Sequence, residues 1–175
     1  MTERIIIAGA GGQGIMLLGK VLAEAAMLEN KFVTWLPAYG AEVRGGKAFC
    51  MVIISDKEIG SPYISKADSL IIMNEPSLHH FKNRLREKGF LVLNSSLAKD
   101  ALVPGYPFTD VALKLGNLKV ANMVALGSYL ALKNMLSRET ISEVIKKMAP
   151  KDKPELIEIN QKAFIAGGDL VKKNG

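Results

Sequence analysis

Near its start the chain reads Gly9-Ala10-Gly11-Gly12-Gln13-Gly14, between an apolar run and a long stretch of helical composition. This is G-x-G-x-x-G spacing, which points to anion chemistry. Glycine permits a tight turn at Gly9, close backbone approach at Gly11 and close helix–sheet packing at Gly14, while unpaired N–H groups and the helix dipole attract phosphate. The competing reading is that the glycines serve backbone packing alone. A second stretch, PAYGAEVRGG from Pro37 to Gly46, carries Tyr39, Glu42 and Arg44 among Gly40, Gly45 and Gly46. So many glycines, with the unusual backbone angles they accept, are unexpected in a mere connector, and Arg44 offers a planar fork to phosphate or carboxylate. A Glu42–Arg44 surface pair is the plainer alternative.

A dinucleotide site needs one part more, an acid at the end of the second strand, roughly 20 residues on, to hold a ribose hydroxyl. That region reads Thr34-Trp35-Leu36-Pro37, and the nearest acid, Glu42, lies beyond a proline and a glycine. A stand-alone NAD(P)- or flavin-dinucleotide oxidoreductase therefore stays only as an alternative. Asn74, Asn94 and Ser95 follow later strands and could face the same sheet edge, although capping and turn roles explain them as well. His79 and His80 are neighbours on a helix and point about 100° apart, which rules out an i, i+4 metal pair. Cys50 is the sole cysteine, so the chain can build neither a disulfide nor an iron–sulfur cradle by itself, and a buried small hydrophobe is expected. No nucleophile elbow, P-loop lysine or H-E-x-x-H motif is present, and no catalytic or metal-ligating residue is expected.

These residues must be placed by elements. Arg4 to Ala8 reads as a buried strand, Gln13 to Glu29 as a helix, and Phe32 to Leu36 as a second strand stopped by Pro37. Ala48 to Ser55 followed by Ile59 to Pro62 reads as a hairpin with a short or edge return strand. Ser69 to Met73 is a strand, Asn74 opens a helix to Lys88 with Gly89 as its C-cap, and Phe90 to Asn94 is the next strand. Lys119 to Leu136, Arg138 to Met148 and Pro154 to Ala166 read as helices, with Ser137 and Asp152 as N-caps and Gly167 as a stop. The fold expected is α/β: a Rossmann-like, doubly wound, mostly parallel sheet with a short hairpin or edge strand and a helical C-terminal third.

With 175 residues, 49% of them hydrophobic, a single domain over 1–175 is expected. The first residues do not resemble a signal peptide, and no apolar run reaches the roughly 20 residues of a membrane span, so a cytoplasmic chain without membrane contact is expected. Net charge is +6, but lysines dominate and are dispersed, so no nucleic-acid partner is expected. The Ile15–Leu28 and Val120–Leu136 segments carry more apolar surface than one-sided helices need. Either the C-terminal helices or a partner subunit covers the surplus.

Together GAGGQG, PAYGAEVRGG, SPYISKADSLIIMNEPSL, LVLNSS and VANMVALGSYLAL resemble the gamma subunit of the 2-oxoacid:ferredoxin oxidoreductases, over roughly Arg4 to Gly167. YGAEVRGG favours the pyruvate, 2-oxoglutarate and branched-chain types over the indolepyruvate type; TWLPAYG and VLNSS are most similar to the 2-oxoglutarate group. The resemblance implies a noncatalytic but required subunit in a complex that decarboxylates a 2-oxoacid, transfers the acyl group to coenzyme A and reduces ferredoxin. It implies thiamine diphosphate and iron–sulfur clusters in the alpha, beta and, where separate, delta subunits, with ferredoxin met only indirectly. No cofactor is expected to bind tightly in this chain, although coenzyme A could approach it. The binding set is Gly9, Gly11, Gly12, Gln13, Gly14, Tyr39, Glu42, Arg44, Gly45 and Gly46. Whether these touch coenzyme A or a neighbouring subunit is left open, as is a purely structural scaffold; an isolated chain is expected to be prone to self-association through its apolar helices.

Overall fold

Ile5, Ile6 and Ile7 are all completely buried, because the strand that holds them, β1 (Thr2–Ala10), is central in the sheet and covered on both faces. A continuous apolar run is what such a strand requires. The structure is a computed structural model and describes residues 1–38, 47–101, 103 and 105–174. Tyr39, Gly40, Glu42, Arg44, Gly45 and Gly46 lie outside the described residues. After β1 come α1 (Ile15–Leu28), β2 (Phe32–Ala38), β3 (Lys47–Ser55), β4 (Ala67–Ile72), α2 (Glu75–Phe81) and β5 (Leu85–Leu93). Four further helices complete the described chain: α3 (Phe108–Lys114), α4 (Ala121–Lys133), α5 (Arg138–Met148) and α6 (Glu155–Asn174).

The five strands lie in the order β2-β3-β1-β4-β5. β1, β4 and β5 are parallel, whereas β3 runs antiparallel to both β1 and β2. Side chains alternate across the sheet. Ile5, Ile7, Val52, Ile54, Ile71 and Val92 point to a core shared with α1, α3, α4, α5 and α6. Ile6, Ala8, Met51, Ile53, Leu70 and Leu91 point to a smaller core under α2. The mostly parallel sheet, covered on both faces and followed by a helical C-terminal third, is the α/β architecture expected.

Several local expectations need correction. Residues 59–62 form no strand; the hairpin is instead β2–β3, with Phe32 opposite Ser55 and Ala38 opposite Phe49. The helix opened by Asn74 ends at Phe81, a 3-10 turn follows to Arg84, and Gly89 lies within β5 rather than at a C-cap. Ala67 pairs with Leu85 and Ser69 with Phe90, so Arg86 to Gly89 bulge outward opposite Asp68, whose carboxylate pairs with the Arg86 guanidinium. Ser137 does cap α5, its hydroxyl accepting the Thr140 N–H at 3.0 Å. Asp152 lies ahead of the N-cap position, since α6 starts at Glu155, and Gly167 does not stop α6, which continues to Asn174.

That last correction has a packing cause. A Cβ added to Gly167 would lie 2.8 Å from the Val124 carbonyl carbon, and one added to Gly127 would lie 2.9 Å from that of Phe164. The glycines let the α4 and α6 backbones touch, and the Ser128 hydroxyl donates to the Gly167 carbonyl at 2.7 Å across the contact. The surplus apolar surface of α4 is thus covered within the chain: Ala121 through Leu130 are all buried. α1 differs, because Leu17, Met27 and Leu28 remain 40%, 60% and 44% exposed.

Candidate functional site: the glycine loop at the sheet edge

The loop after β1 is shaped by positive backbone angles at Gly12 (φ 85°) and Gly14 (φ 71°). The tight turn is therefore at Gly12 rather than at Gly9. Gly9 is a place of close approach: a Cβ there would meet Gln13 Oε1 at 2.5 Å and Met73 Cβ at 2.9 Å. Gly14 caps α1 from the left-handed region, and a Cβ on it would come 2.8 Å from Asn122 Cγ on α4, so its close packing is against a helix and not the sheet.

Gln13 holds the loop in shape. Its Oε1 accepts the Ala10 N–H at 2.7 Å and its Nε2 donates to the Met73 carbonyl at 3.4 Å. The same carbonyl accepts the Asn94 amide at 3.1 Å, and Asn94 also donates to Thr109 Oγ1 on α3 at 2.9 Å. One carbonyl at the end of β4 thereby ties the glycine loop to the end of β5. Asn122, 1% exposed, donates to the Gly14 carbonyl at 3.1 Å and so fixes the loop to α4. An unmade bond at such a buried amide costs about 1–3 kcal/mol, which gives these contacts their hold on the loop.

What remains open is backbone. Gly11 and Gly12 are exposed, and among the described residues the N–H groups of Gly11, Gly12 and Gly14 have no hydrogen-bond acceptor. Asn74 is occupied as the N-cap of α2, accepting the Ser77 N–H at 3.1 Å, and Asn94 is buried; both serve the frame. His79 pairs with Glu75 on the exposed face of α2. Cys50 is completely buried against Trp35; burial pushes its thiol up to about 12, a change the Trp35 indole only partly offsets. It is a core side chain with no reactive thiolate at neutral pH.

Of the second glycine stretch only the flanks are described. Ala38, at the end of β2, pairs with Phe49, and Lys47 lies opposite Ala10 at the end of β1. Both flanks sit at the sheet edge that carries the first loop. The same topology explains the missing ribose acid. β3 is inserted between β1 and β2, which moves the end of β2 to about 9.5 Å, two strand spacings, from β1. A dinucleotide lying across β1 would not find its ribose contact there. The sequence carried no local signal for this insertion, nor for Asn122 and Met73 as the loop's anchors.

The chain's one cysteine is buried, and Gly168-Asp169, the nearest approach to a thiamine motif, lies within α6, with Gly168 packed against Gly127 of α4.

Comparison with known proteins agrees with this geometry. The family model described as pyruvate ferredoxin/flavodoxin oxidoreductase matches residues 4–170. Ketoisovalerate oxidoreductase subunit VorA of Methanothermobacter marburgensis is 37% identical over 98% of the chain, which spans only 37% of that protein. 2-Oxoglutarate synthase subunit KorC of Archaeoglobus fulgidus is 34% identical over 97% of this chain and 88% of its own. Among solved structures, the gamma subunit of keto/oxoacid ferredoxin oxidoreductase from Geobacter sulfurreducens superposes with a TM-score of 0.82 at 30% identity, covering 98% of this chain and 99% of that one. A 2-oxoglutarate:ferredoxin oxidoreductase from Magnetococcus marinus, solved with 2-oxoglutarate, coenzyme A and succinyl-CoA bound, gives 0.88 at 26% identity, over 98% of this chain and 31% of that one. By the extent and depth of these matches the chain belongs to the pyruvate ferredoxin/flavodoxin oxidoreductase family, as a domain of its gamma type.

Proposed function

We propose that the chain is the noncatalytic but required gamma subunit of a cytoplasmic, coenzyme A-dependent 2-oxoacid:ferredoxin oxidoreductase, and that its glycine loop receives a phosphate of coenzyme A. The observation that carries the reading is the loop itself: three backbone N–H groups at and just before a helix N-terminus, without an acceptor among the described residues, in a loop held by Gln13 and Asn122 with Gly11 and Gly12 exposed. Such an array suits a phosphate, and the structurally similar Magnetococcus marinus enzyme was solved with coenzyme A bound. In this reading Gln13 positions the loop, Gly11 and Gly12 face the ligand, and Arg44, Tyr39, Glu42, Gly45 and Gly46 complete the site or the contact with a companion subunit. The companions, of alpha, beta and, where separate, delta type, supply the thiamine diphosphate, the clusters and the 2-oxoacid pocket, and pass electrons to ferredoxin. The substrate is of the 2-oxoglutarate or pyruvate type, in keeping with the KorC relatives.

The test is the pair Gly12→Ala and Gly12→Glu in the assembled complex. Both strain the left-handed Gly12, and only the second adds a carboxylate beside the N–H groups. Gly12→Glu is expected to raise the KM for coenzyme A at least tenfold over Gly12→Ala, about 1.4 kcal/mol, with the KM for the 2-oxoacid unmoved. Equal KM values for coenzyme A in the two variants would refute the phosphate role.

A further inference from the structure

The far half of α4 borders a groove that the glycine loop does not touch. It has a volume of about 610 Å³ and lies between α4, α5 and α6, within the roughly 300–1,000 Å³ typical of small-molecule sites. Gly127 and Leu130 of α4 and the buried Phe164 of α6 form its apolar floor, and the exposed Ile165 forms a lip. Asn122, which holds the loop, stands five residues before Gly127, about 7.5 Å along the α4 axis.

The α5 wall is charged. Arg138, Glu139, Ser142, Glu143 and Lys146 all line the groove. A Cβ on Gly168 would stand 3.3 Å from Arg138 Nη2, so the guanidinium lies down against the α6 backbone where a glycine makes room for it. Two of these placements are unfavourable for the helix alone. Arg138 is a cation in the first turn of α5, at the positive end of the helix dipole. Glu139 and Glu143 are like charges at i, i+4, which repel. Neither Arg138 nor either glutamate has an ion-pair partner among the described residues. Gln161 ties the two walls together, its Nε2 donating to Ser142 Oγ at 2.8 Å and to the Ser142 carbonyl at 3.4 Å.

We infer that this groove binds a free α-amino acid with a large apolar side chain. Its carboxylate meets the planar fork of Arg138, its ammonium meets Glu139 and Glu143, and its side chain rests on Leu130, Phe164 and Ile165. Arg138 and Glu139 are consecutive, so the ligand's two charges must lie close together, as they do on one α-carbon. Both signs are required: a fatty acid would meet the two carboxylates, and an apolar amine would meet the guanidinium. A subunit face closing over the groove would bury these charges, and interface cores are depleted of charge. The inference stands apart from the ligand of the glycine loop, since groove and loop share only α4.

The experiment is equilibrium dialysis of the assembled complex with radiolabelled L-phenylalanine, which is expected to bind saturably with one site per copy of this chain. 3-Phenylpropionate, which lacks the ammonium, and phenethylamine, which lacks the carboxylate, are each expected to compete at least about tenfold more weakly than unlabelled L-phenylalanine. Arg138→Gln and Glu139→Gln alter exposed side chains and are each expected to raise the Kd about tenfold or more, about 1.4 kcal/mol. Melting curves and gel filtration verify folding and assembly of both variants. Absence of saturable binding, equal competition by either analogue, or an unchanged Kd in Arg138→Gln overturns the inference, the last because the amino acid would then sit elsewhere in the complex. Loss of either variant from the complex overturns it in favour of a subunit contact.

Discussion

Replacing Gly127 by Ala places two opposite effects in one side chain. Helix propensity favours the change by about 1 kcal/mol, because glycine loses more backbone entropy on folding than alanine. Packing opposes it. The new Cβ would lie 2.9 Å from the Phe164 carbonyl carbon, 3.0 Å from the Gly168 nitrogen and closer still to the Phe164 oxygen. These are backbone atoms of α6, so no rotamer change relieves them, and α4 and α6 must separate along a contact that includes the Ser128–Gly167 hydrogen bond. Overpacking in a well-filled core costs typically 1–3 kcal/mol and occasionally more, and loosening the hydrogen bond adds about 1 kcal/mol. The net expectation is destabilisation by about 1–3 kcal/mol, read as a lower urea midpoint at unchanged slope. At 2–4 °C per kcal/mol for a chain of this size, the melting temperature falls by roughly 2–12 °C. Because α4 also carries Asn122, the glycine loop should lose protection from hydrogen exchange at the N–H of Ala10. A Gly127→Ala variant more stable than the parent would mean that propensity decides and that the helix contact has room, contrary to the packing argument.

Two other groups give independent checks. Tyr129 is buried, with its hydroxyl donating to Glu3 at 3.3 Å; burial first, and the Glu3 charge second, hold its phenol well above the usual value near 10.0. The folded state thus binds that proton more tightly than the unfolded state, so this contribution to stability is complete below pH 10 and is lost as pH rises further. Tyr129→Phe should flatten the alkaline limb of a urea midpoint against pH curve; an unaltered limb would contradict the assignment. Cys50, raised to about 12, should resist alkylation by iodoacetamide at pH 8 in the native protein and react within minutes in urea. Native-state labelling at a rate comparable to a free thiol would contradict its burial.

Much of the frame was legible because it depends on local pattern. The isoleucine run of β1 and the glycine loop before a proline-free apolar segment each report on their own neighbourhood, and α5 is bounded as read because Ser137 supplies its cap. The misreadings concern pairing between distant segments. Arg86 to Gly89 has a helix-like charge pattern, yet it bulges from an edge strand whose partner, β4, is set by the whole sheet. Gly167 resembles a helix stop until the facing Gly127 is known. The insertion of β3 between β1 and β2 is likewise a choice of partner that no period-2 pattern encodes. At the site, the glycine loop itself was visible in the sequence, whereas the bond from the Gln13 amide to the carbonyl of Met73, far along the chain, was not.

The central claim, that this chain contributes no catalytic group but is required for coenzyme A-dependent turnover, is tested most directly by omission and add-back. Companion subunits assembled without it should reduce ferredoxin with a 2-oxoacid and coenzyme A at no more than a few per cent of the complete rate, and stoichiometric addition of the folded chain should restore it. Full coenzyme A-dependent turnover in its absence would contradict the account.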